Sequence, residues 1–568
     1  MKATVYSAYR YTGVFLKILL SFTIVLTLFL IINVFNAYAF SVTTAVLVGN
    51  ASPEFTVAPF EDPTSSSTTP TNVGSNVTFK ATATDTNEDN YYLIVCSTDS
   101  VTPTNGGAPT CNATTWCTSS STTSGSQASC SRTALLADAI SNIWYAFVCD
   151  GNSAAECSTS SQGSGDSGSP FVVNHAPSFS SVSNDDGTGV NPGSTVTWST
   201  TASDPDSDTL KLLVCKTSGI TGDTCDGGAG DTWCSSTFVA SNPSCYYDIP
   251  TVFPDDTYSA YVYIVDEHNL QATGIYQGSN VSFIVNNVAP TLSAITINGG
   301  VNIDLVENST TPVILTATIT DINSCYGGEI ASTLGYMYRS SITYTGCDTL
   351  GEGNNNYCYP EITCTVVAGS CTDITDGSAN YTCTANIQYY ADPTDLLTQY
   401  PTDTWMNTIK VSDDDSSTTS LEVGTGIEMN SLTAFSVTNS INFGSLAVEQ
   451  SNDPLDKITT TTPTGNVGLD QEVSGSANMC TDYPTCVVGT PISVTNQKYS
   501  LTSSTSYASG TVLSTSPAET ELNVPKVITG TPTTKDTWWG ILIPSGTLPG
   551  AYSGANTLTA VKGEVLEW

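Results

Sequence analysis

The residues with the most evident chemical use are carboxylates set in short turns. Asp204, Asp206 and Asp208 form a D-x-D-x-D run, and Asp85, Asn87 and Asp89 offer a related set upstream. Asp266 and Glu267 close an aromatic, alternating stretch, as Asp150 does earlier and Asp413, Asp414 and Asp415 do later. Several hard oxygens drawn together suit Ca2+, so Asp204, Asp206, Asp208 and Asp266 are candidate calcium ligands. The plainer reading is a solvated acidic turn, because Asp and Asn are good turn formers. An EF-hand is excluded, since the Gly and distal Glu are missing at the required positions.

Catalytic chemistry finds little support. Gly165-Asp166-Ser167-Gly168-Ser169-Pro170 resembles a serine-protease nucleophile motif, but no His precedes His175 to serve as base. The motif reads as a Gly/Ser-rich turn. His175 and His268 are the only two histidines, and no CxxC pair occurs, so a zinc site is not supported. His175 reads as a linker residue and His268 as a turn residue. Tyr91-Tyr92 and Trp538-Trp539 could stack on a sugar, but alternation turns one ring of each pair inward. No catalytic residue and no required cofactor is expected.

The chain has 568 residues, with 14 Lys or Arg against 52 Asp or Glu, a formal charge of −38. That balance repels nucleic acid and anionic lipid, which both need a basic footprint. Only 12% of residues are charged, while 39% are apolar, so the chain can build cores rather than stay disordered. At the N-terminus, Lys2, Arg10 and Lys17 precede an apolar run over residues 18–35 and a small-x-small site, Ala37-Tyr38-Ala39. This is the pattern of a signal peptide over residues 1–39. An uncleaved signal-anchor is the competing reading, and there the membrane would be touched through that segment alone. Either way the rest is expected outside the cell. Six Asn-x-Ser/Thr sequons fit an exported chain, although so Thr-rich a sequence also yields them by chance.

The chain repeats itself. Asp85 precedes Cys96 by 11 residues (96 − 85), and Asp204 precedes Cys215 by 11 (215 − 204). Trp116-Cys117 matches Trp233-Cys234, and the stretch ending in Cys149-Asp150 matches the one ending in Val265-Asp266. Each unit closes with a short apolar run, after which the next opens with Ala176-Pro177 or Ala289-Pro290. Period-2 patterning, β-branched residues and regular turn signals predict antiparallel strands, with residues 133–140 the best short helical candidate. The expected organisation is all-β: a first domain over 45–174, a second over 175–287, a third over 288–431 and a C-terminal β-sandwich over 432–568.

The Ala-Pro opening, the alternating strand, the turn Asp204-Pro205-Asp206-Ser207-Asp208 and the aromatic strand ending in Asp266 resemble tandem Ig-like domains. The resemblance is to the PKD-like and cadherin-like modules of prokaryotic secreted and surface proteins. It implies four tandem Ig-like sandwiches and a role in adhesion, assembly or spacing. It also implies that the two acidic loops of each unit share one pole. The units depart from antibody domains, having no Cys pair on the two facing core strands.

The cysteines divide evenly among the units. The first holds Cys96, Cys111, Cys117, Cys130, Cys149 and Cys157; the second holds Cys215, Cys225, Cys234 and Cys245. The third holds Cys325, Cys347, Cys358, Cys364, Cys371 and Cys383, and the last holds Cys480 and Cys486. Even counts with no thiol left over predict disulfides within units. Cys149–Cys157 and Cys480–Cys486 are the expected pairs; the remaining connectivities stay open. The expected function is non-enzymatic: a secreted or cell-surface structural or adhesive stalk whose partner is a protein or glycan at the cell surface. A carbohydrate-binding exoprotein is the alternative, and a spacer in an extracellular hydrolase is a more distant one.

Overall fold

The computed structural model describes residues 45–163, 170–349 and 353–568. The signal segment over 1–39 and most of the motif at 165–170 lie outside the described residues. Regular structure is almost wholly antiparallel β-strand, and the α-helix among the described residues is the five-residue turn Tyr344–Asp348. The helix expected over 133–140 does not form. Leu135 and Leu136 are 53% and 76% exposed, so no buried face would offset the cost of nucleating it. No helix among the described residues is long and apolar enough to cross a membrane.

Period-2 patterning becomes two-faced strands. Asn76–Thr84 buries Val77, Phe79, Ala81 and Ala83, Thr195–Ser203 buries Val196, Trp198, Thr200 and Ala202, and Thr310–Thr320 buries Val313, Leu315, Ala317 and Ile319. The chain packs as two compact units. One comprises residues up to 66 with 76–133 and 141–172; the other comprises 67–75, 134–140 and 173–568.

In the first unit, Glu54–Asp62, Asn76–Thr84 and Gln127–Thr133 form one sheet, and Tyr145–Asp150, Tyr91–Cys96 and Thr115–Thr118 form another. Between them Phe79 meets Trp144 at 4.9 Å between ring centroids, edge to face. Glu61 is buried there, but its carboxylate accepts from Trp144 Nε1 at 2.8 Å and from the Ser65 amide at 3.0 Å. Satisfied in this way, the charge is tolerable in the core, although burial still pushes its pKa up.

The second unit begins with a similar arrangement. Ser178–Asn184, Thr195–Ser203 and Ser244–Asp248 form one sheet; Thr232–Ser235, Leu210–Cys215, Tyr261–Asp266 and Ser279–Asn280 form the other. Trp198, Trp233 and Phe283 fill the space between them. Residues 67–75 and 134–140, expected within the first domain, pack with this unit instead. Hydrogen bonds explain the difference: Asn174 donates to Asn72 Oδ1 at 2.9 Å, and a ring nitrogen of His175 sits 3.0 Å from the Asp138 carbonyl.

Residues 291–422 form a continuous seven-stranded sheet wrapped over one core. Strand Cys358–Val366 makes the link. Its first half pairs with Ile330–Arg339 and its second half with Ser378–Gln388. Glu361, at a left-handed φ of 51°, and a register shift lie just ahead of the change of partner between Thr363 and Cys364, a bulge of the kind by which a strand turns a corner between sheets. The last segment sets a five-stranded sheet against the three strands Ala518–Val524, Leu469–Cys480 and Ser553–Lys562, with Trp539 and Tyr499 in the core.

All 18 cysteines are paired and none is free. Cys149–Cys157 and Cys480–Cys486 form as expected. The others are Cys96–Cys111, Cys117–Cys130, Cys215–Cys225, Cys234–Cys245, Cys325–Cys371, Cys347–Cys358 and Cys364–Cys383. Cys117–Cys130 and Cys234–Cys245 each tie a strand of one sheet to a strand of the facing sheet.

The 291–422 sheet is fastened to the C-terminal segment by a buried ion cluster. Lys526 Nζ donates to the Tyr390 carbonyl at 2.8 Å, Asn356 Oδ1 at 2.9 Å and the Val527 carbonyl at 3.2 Å. It lies 3.0 Å from Asp392 Oδ1, while Arg339 Nε stands 3.3 Å from the other Asp392 oxygen. Removing one partner of such a cluster strands a buried charge. Lys526→Met is therefore expected to destabilise the C-terminal half by about 3 kcal/mol in urea unfolding; a loss below about 1 kcal/mol, the range of exposed pairs, would show that the ammonium is dispensable.

Candidate functional site

Three acidic poles share one hydrogen-bond plan. After each long alternating strand, an Asp accepts at Oδ1 from the amide two residues on: Asp85 from Asn87 at 2.7 Å, Asp204 from Asp206 at 2.7 Å and Asp321 from Asn323 at 2.8 Å. The residue two positions on then accepts from the backbone of the segment that opens the unit. Asn87 takes the Ala51 amide at 2.8 Å, Asp206 the His175 amide at 2.5 Å and Asn323 the Val288 amide at 2.7 Å. Immediately before that amide an Asn side chain donates to the Asp ending the late strand. The pairs are Asn50 to Asp150 at 2.8 Å, Asn174 to Asp266 at 2.8 Å and Asn287 to Asp413 at 3.2 Å.

This plan leaves a defined remainder. Oδ2 of Asp85, Asp204 and Asp321 is buried with no hydrogen-bond partner in all three cases. Asp85 is 5% exposed and Asp321 1%. A buried carboxylate oxygen without a donor carries a desolvation cost, and its recurrence at equivalent positions makes it a feature of the design. Burial, with neighbouring carboxylates adding to it, pushes Asp204 and Asp321 up to about 6.

The pole of residues 204–208 holds the carboxylates singled out by spacing. Asp204, Asp206 and Asp208 each bring one oxygen within 4.8 Å of the others. Asp206 is engaged with His175, whose Nδ1 lies 3.0 Å away, and Asp208 faces His268 Nε2 at 3.7 Å. Asp208 is raised by burial, an effect the His268 charge opposes. Asp266 plays a different part. It is fully buried, Oδ1 accepts the His268 and Leu270 amides at 2.8 Å each, and Oδ2 is taken by Asn174.

The pole beginning at Asp321 gathers Asp414 with two residues, Asp255 and Glu329, that spacing did not single out. Asp255 precedes strand Asp256–Tyr258, Glu329 precedes strand Ile330–Arg339 and Asp414 follows strand Trp405–Asp413. One oxygen from each lies within 4.8 Å of the other two. Two sheets meet here, because Phe253 donates its amide to the Ile322 carbonyl at 3.0 Å and Asn323 Nδ2 reaches the Asn286 carbonyl at 3.0 Å. Among the described residues no ion pair involves Asp255, Asp321, Glu329 or Asp414. Burial, together with Asp255 and Asp414, pushes Glu329 up to about 8. The donor set is all oxygen and anionic, with Asp255 and Glu329 half-buried and Asp414 exposed, which fits Ca2+. No repeated motif marks Asp255 or Glu329; only the fold brings them together.

The aromatic pairs behave as alternation requires. Trp539 is fully buried, with Nε1 donating to Thr459 at 2.9 Å, while Trp538 is half-buried. Tyr91 is fully buried and Tyr92 half-buried. Among the described residues no ring pair includes Trp538, so it forms no stacked platform.

No family model matches the chain. No curated protein matches it either. Among solved structures it is similar to a marsupial T cell receptor at 12% identity and a TM-score of 0.28, over 65% of this chain and 100% of that one. It is also similar to extracellular cadherin domains 1–4 of protocadherin gamma B7 at 13% identity and a TM-score of 0.19, over 67% and 76%.

The crowded carboxylates set the sign of the pH response. Between 4.5 and about 8 the folded chain holds a proton on Glu329 that the unfolded chain has released. The folded state then binds more protons, so stability falls as pH rises through that window. In EDTA the melting midpoint of the wild type is expected to drop from pH 4.5 to about 8. Glu329→Gln should flatten that slope, and an equal slope in the variant would remove Glu329 from the account.

Proposed function

We propose that the protein is a non-enzymatic structural or adhesive protein of the extracellular space or outer cell surface, whose junction at Asp321 is held by Ca2+. The nine disulfides support an oxidising, extracellular setting. The observation that carries the calcium reading is the convergence of Asp255, Glu329 and Asp414, near enough to the buried Asp321 for their charges to act on one another. Without a cation this junction is repulsive. With one, the loop carrying Asp255 and the strand ends carrying Glu329 and Asp414 acquire a shared counter-charge, and the angle between two sandwiches is fixed. A rigid spacer that presents a surface to a protein or glycan partner is the use such a joint serves.

Melting in excess Ca2+ against EDTA tests the reading. An ion bound only by the folded state at about 100 times its Kd adds about 2.7 kcal/mol. The midpoint should rise in the wild type and by clearly less in an Asp255→Asn, Glu329→Gln double variant. An unchanged wild-type midpoint would sink the calcium junction.

A further inference from the structure

We infer that the C-terminal sandwich carries a separate binding site for a divalent cation, built by Asp470, Glu521, Asn523 and Glu564 and matched to Ca2+. The site lies outside the three poles and shares none of their hydrogen-bond plan.

Strand register creates it. In the three-stranded sheet, Leu469 pairs with Val524 but Gln471 pairs with Thr520. Asp470 alone therefore stands opposite Glu521, Leu522 and Asn523. This is a wide irregularity of the kind that re-aims side chains. Asn523 takes a left-handed φ of 53° to complete it, a conformation Asn tolerates better than most residues. On the other side Asp470 pairs with Val561 of strand Ser553–Lys562, and Glu564 follows just past that strand's end. Three strands thus deliver Asp470, Glu521 and Glu564 to one point, with an oxygen of each within 4.8 Å of the others.

The centre of this point is unsatisfied. Asp470 is 1% exposed; its Oδ1 accepts the Asn523 amide at 2.8 Å, and its Oδ2 is buried without a partner. The side-chain oxygen Asn523 Oδ1 is likewise buried without a partner. Space is kept beside Oδ2 by Gly563, where a Cβ would stand 3.1 Å from it. Asp470 and Glu564 repel each other, and among the described residues no ion pair involves either one. The orphaned, buried Oδ2 of Asp470 set among two exposed glutamates describes a rigid floor and a solvent-open lid of oxygen ligands, with Asn523 Oδ1 a second buried, unpartnered oxygen on the facing strand. The number, charge and flexibility of these oxygens suit Ca2+, with water completing the shell; Mg2+ demands a tighter octahedron.

Trp568 provides the reporter. Its indole Nε1 donates to the Gly563 carbonyl at 2.9 Å, and its ring lies against Gly468. Tb3+ titrated into the full chain should give tryptophan-sensitised emission that Ca2+ displaces. Glu521→Gln with Glu564→Gln, both exposed positions that leave the core intact, should abolish the Trp568-dependent part and remove one bound Ca2+ from the calorimetric stoichiometry. Trp568→Phe should lose that emission yet keep the Ca2+ stoichiometry. The same site should persist in the Asp255→Asn, Glu329→Gln variant, which separates it from the junction. Unchanged emission and stoichiometry in the double-glutamine variant would overturn the site. So would a wild type that takes up no ion while the junction still does, since a proton shared by Asp470 and Glu564 would then replace the cation.

Discussion

One hydrogen-bonded latch organises the repeated part of the chain. An Asn side chain and the next peptide N–H fasten each opening segment to two acidic turns of the sandwich it enters. Opening segments are extended and expose backbone donors that must find partners when buried. The latch meets that need with carboxylate and amide oxygens, and hydrogen bonds to a carboxylate are among the stronger ones. Its geometry uses one oxygen of the first Asp and leaves the other facing inward. The acidic poles are thus a consequence of how each sandwich receives its chain.

The sandwiches need such fastening. Outward positions of their strands are often Ser or Thr, as in Thr195–Ser203 and Ser178–Asn184. Disulfides hold the loops between the third and late strands. Cys96–Cys111 and Cys215–Cys225 close excursions of 15 and 10 residues, and Cys325–Cys371 spans 46 beside the Asp321 pole. Crosslinks of this kind act largely by restricting the unfolded chain. They stiffen the loops that flank the acidic turns without adding cations there.

Much of this was legible in the residues. Strand alternation, the even division of cysteines and the recurrence of Asp85 and Asp204 ahead of a Cys all follow short-range rules. The latch was also written in the chain: Asn50, Asn174 and Asn287 each stand three residues before a proline, at Pro53, Pro177 and Pro290. That signal passed unnoticed because Asn is common in turns and carries no charge. Asp414 was marked by its acidic turn, but its meeting with Asp255 and Glu329 could not be read, since the three come from separate loops with no shared spacing. The Asp470 site required a register shift, and alternation does not reveal where a strand slips by two residues. The helix expected over 133–140 failed for the converse reason: local apolar residues mean little when tertiary packing gives them nothing to cover.

The scarcity of Lys and Arg explains why the joints of this chain differ. Where the 291–422 sheet meets the C-terminal segment, the chain commits two of its few cations. Arg339 and Lys526 sit buried around Asp392, and carbonyls and Asn356 complete the ammonium's shell. At that joint the counter-charges come from the chain itself. Where residues 253–256 meet residues 321–329, a comparable gathering of carboxylates has been given no cation. Both arrangements face the same electrostatic problem, since a buried carboxylate is tolerable only with a counter-charge or a proton. One solves it within the sequence and the other leaves the solution to the medium. The two joints thus differ in whether the chain itself supplies the counter-charge.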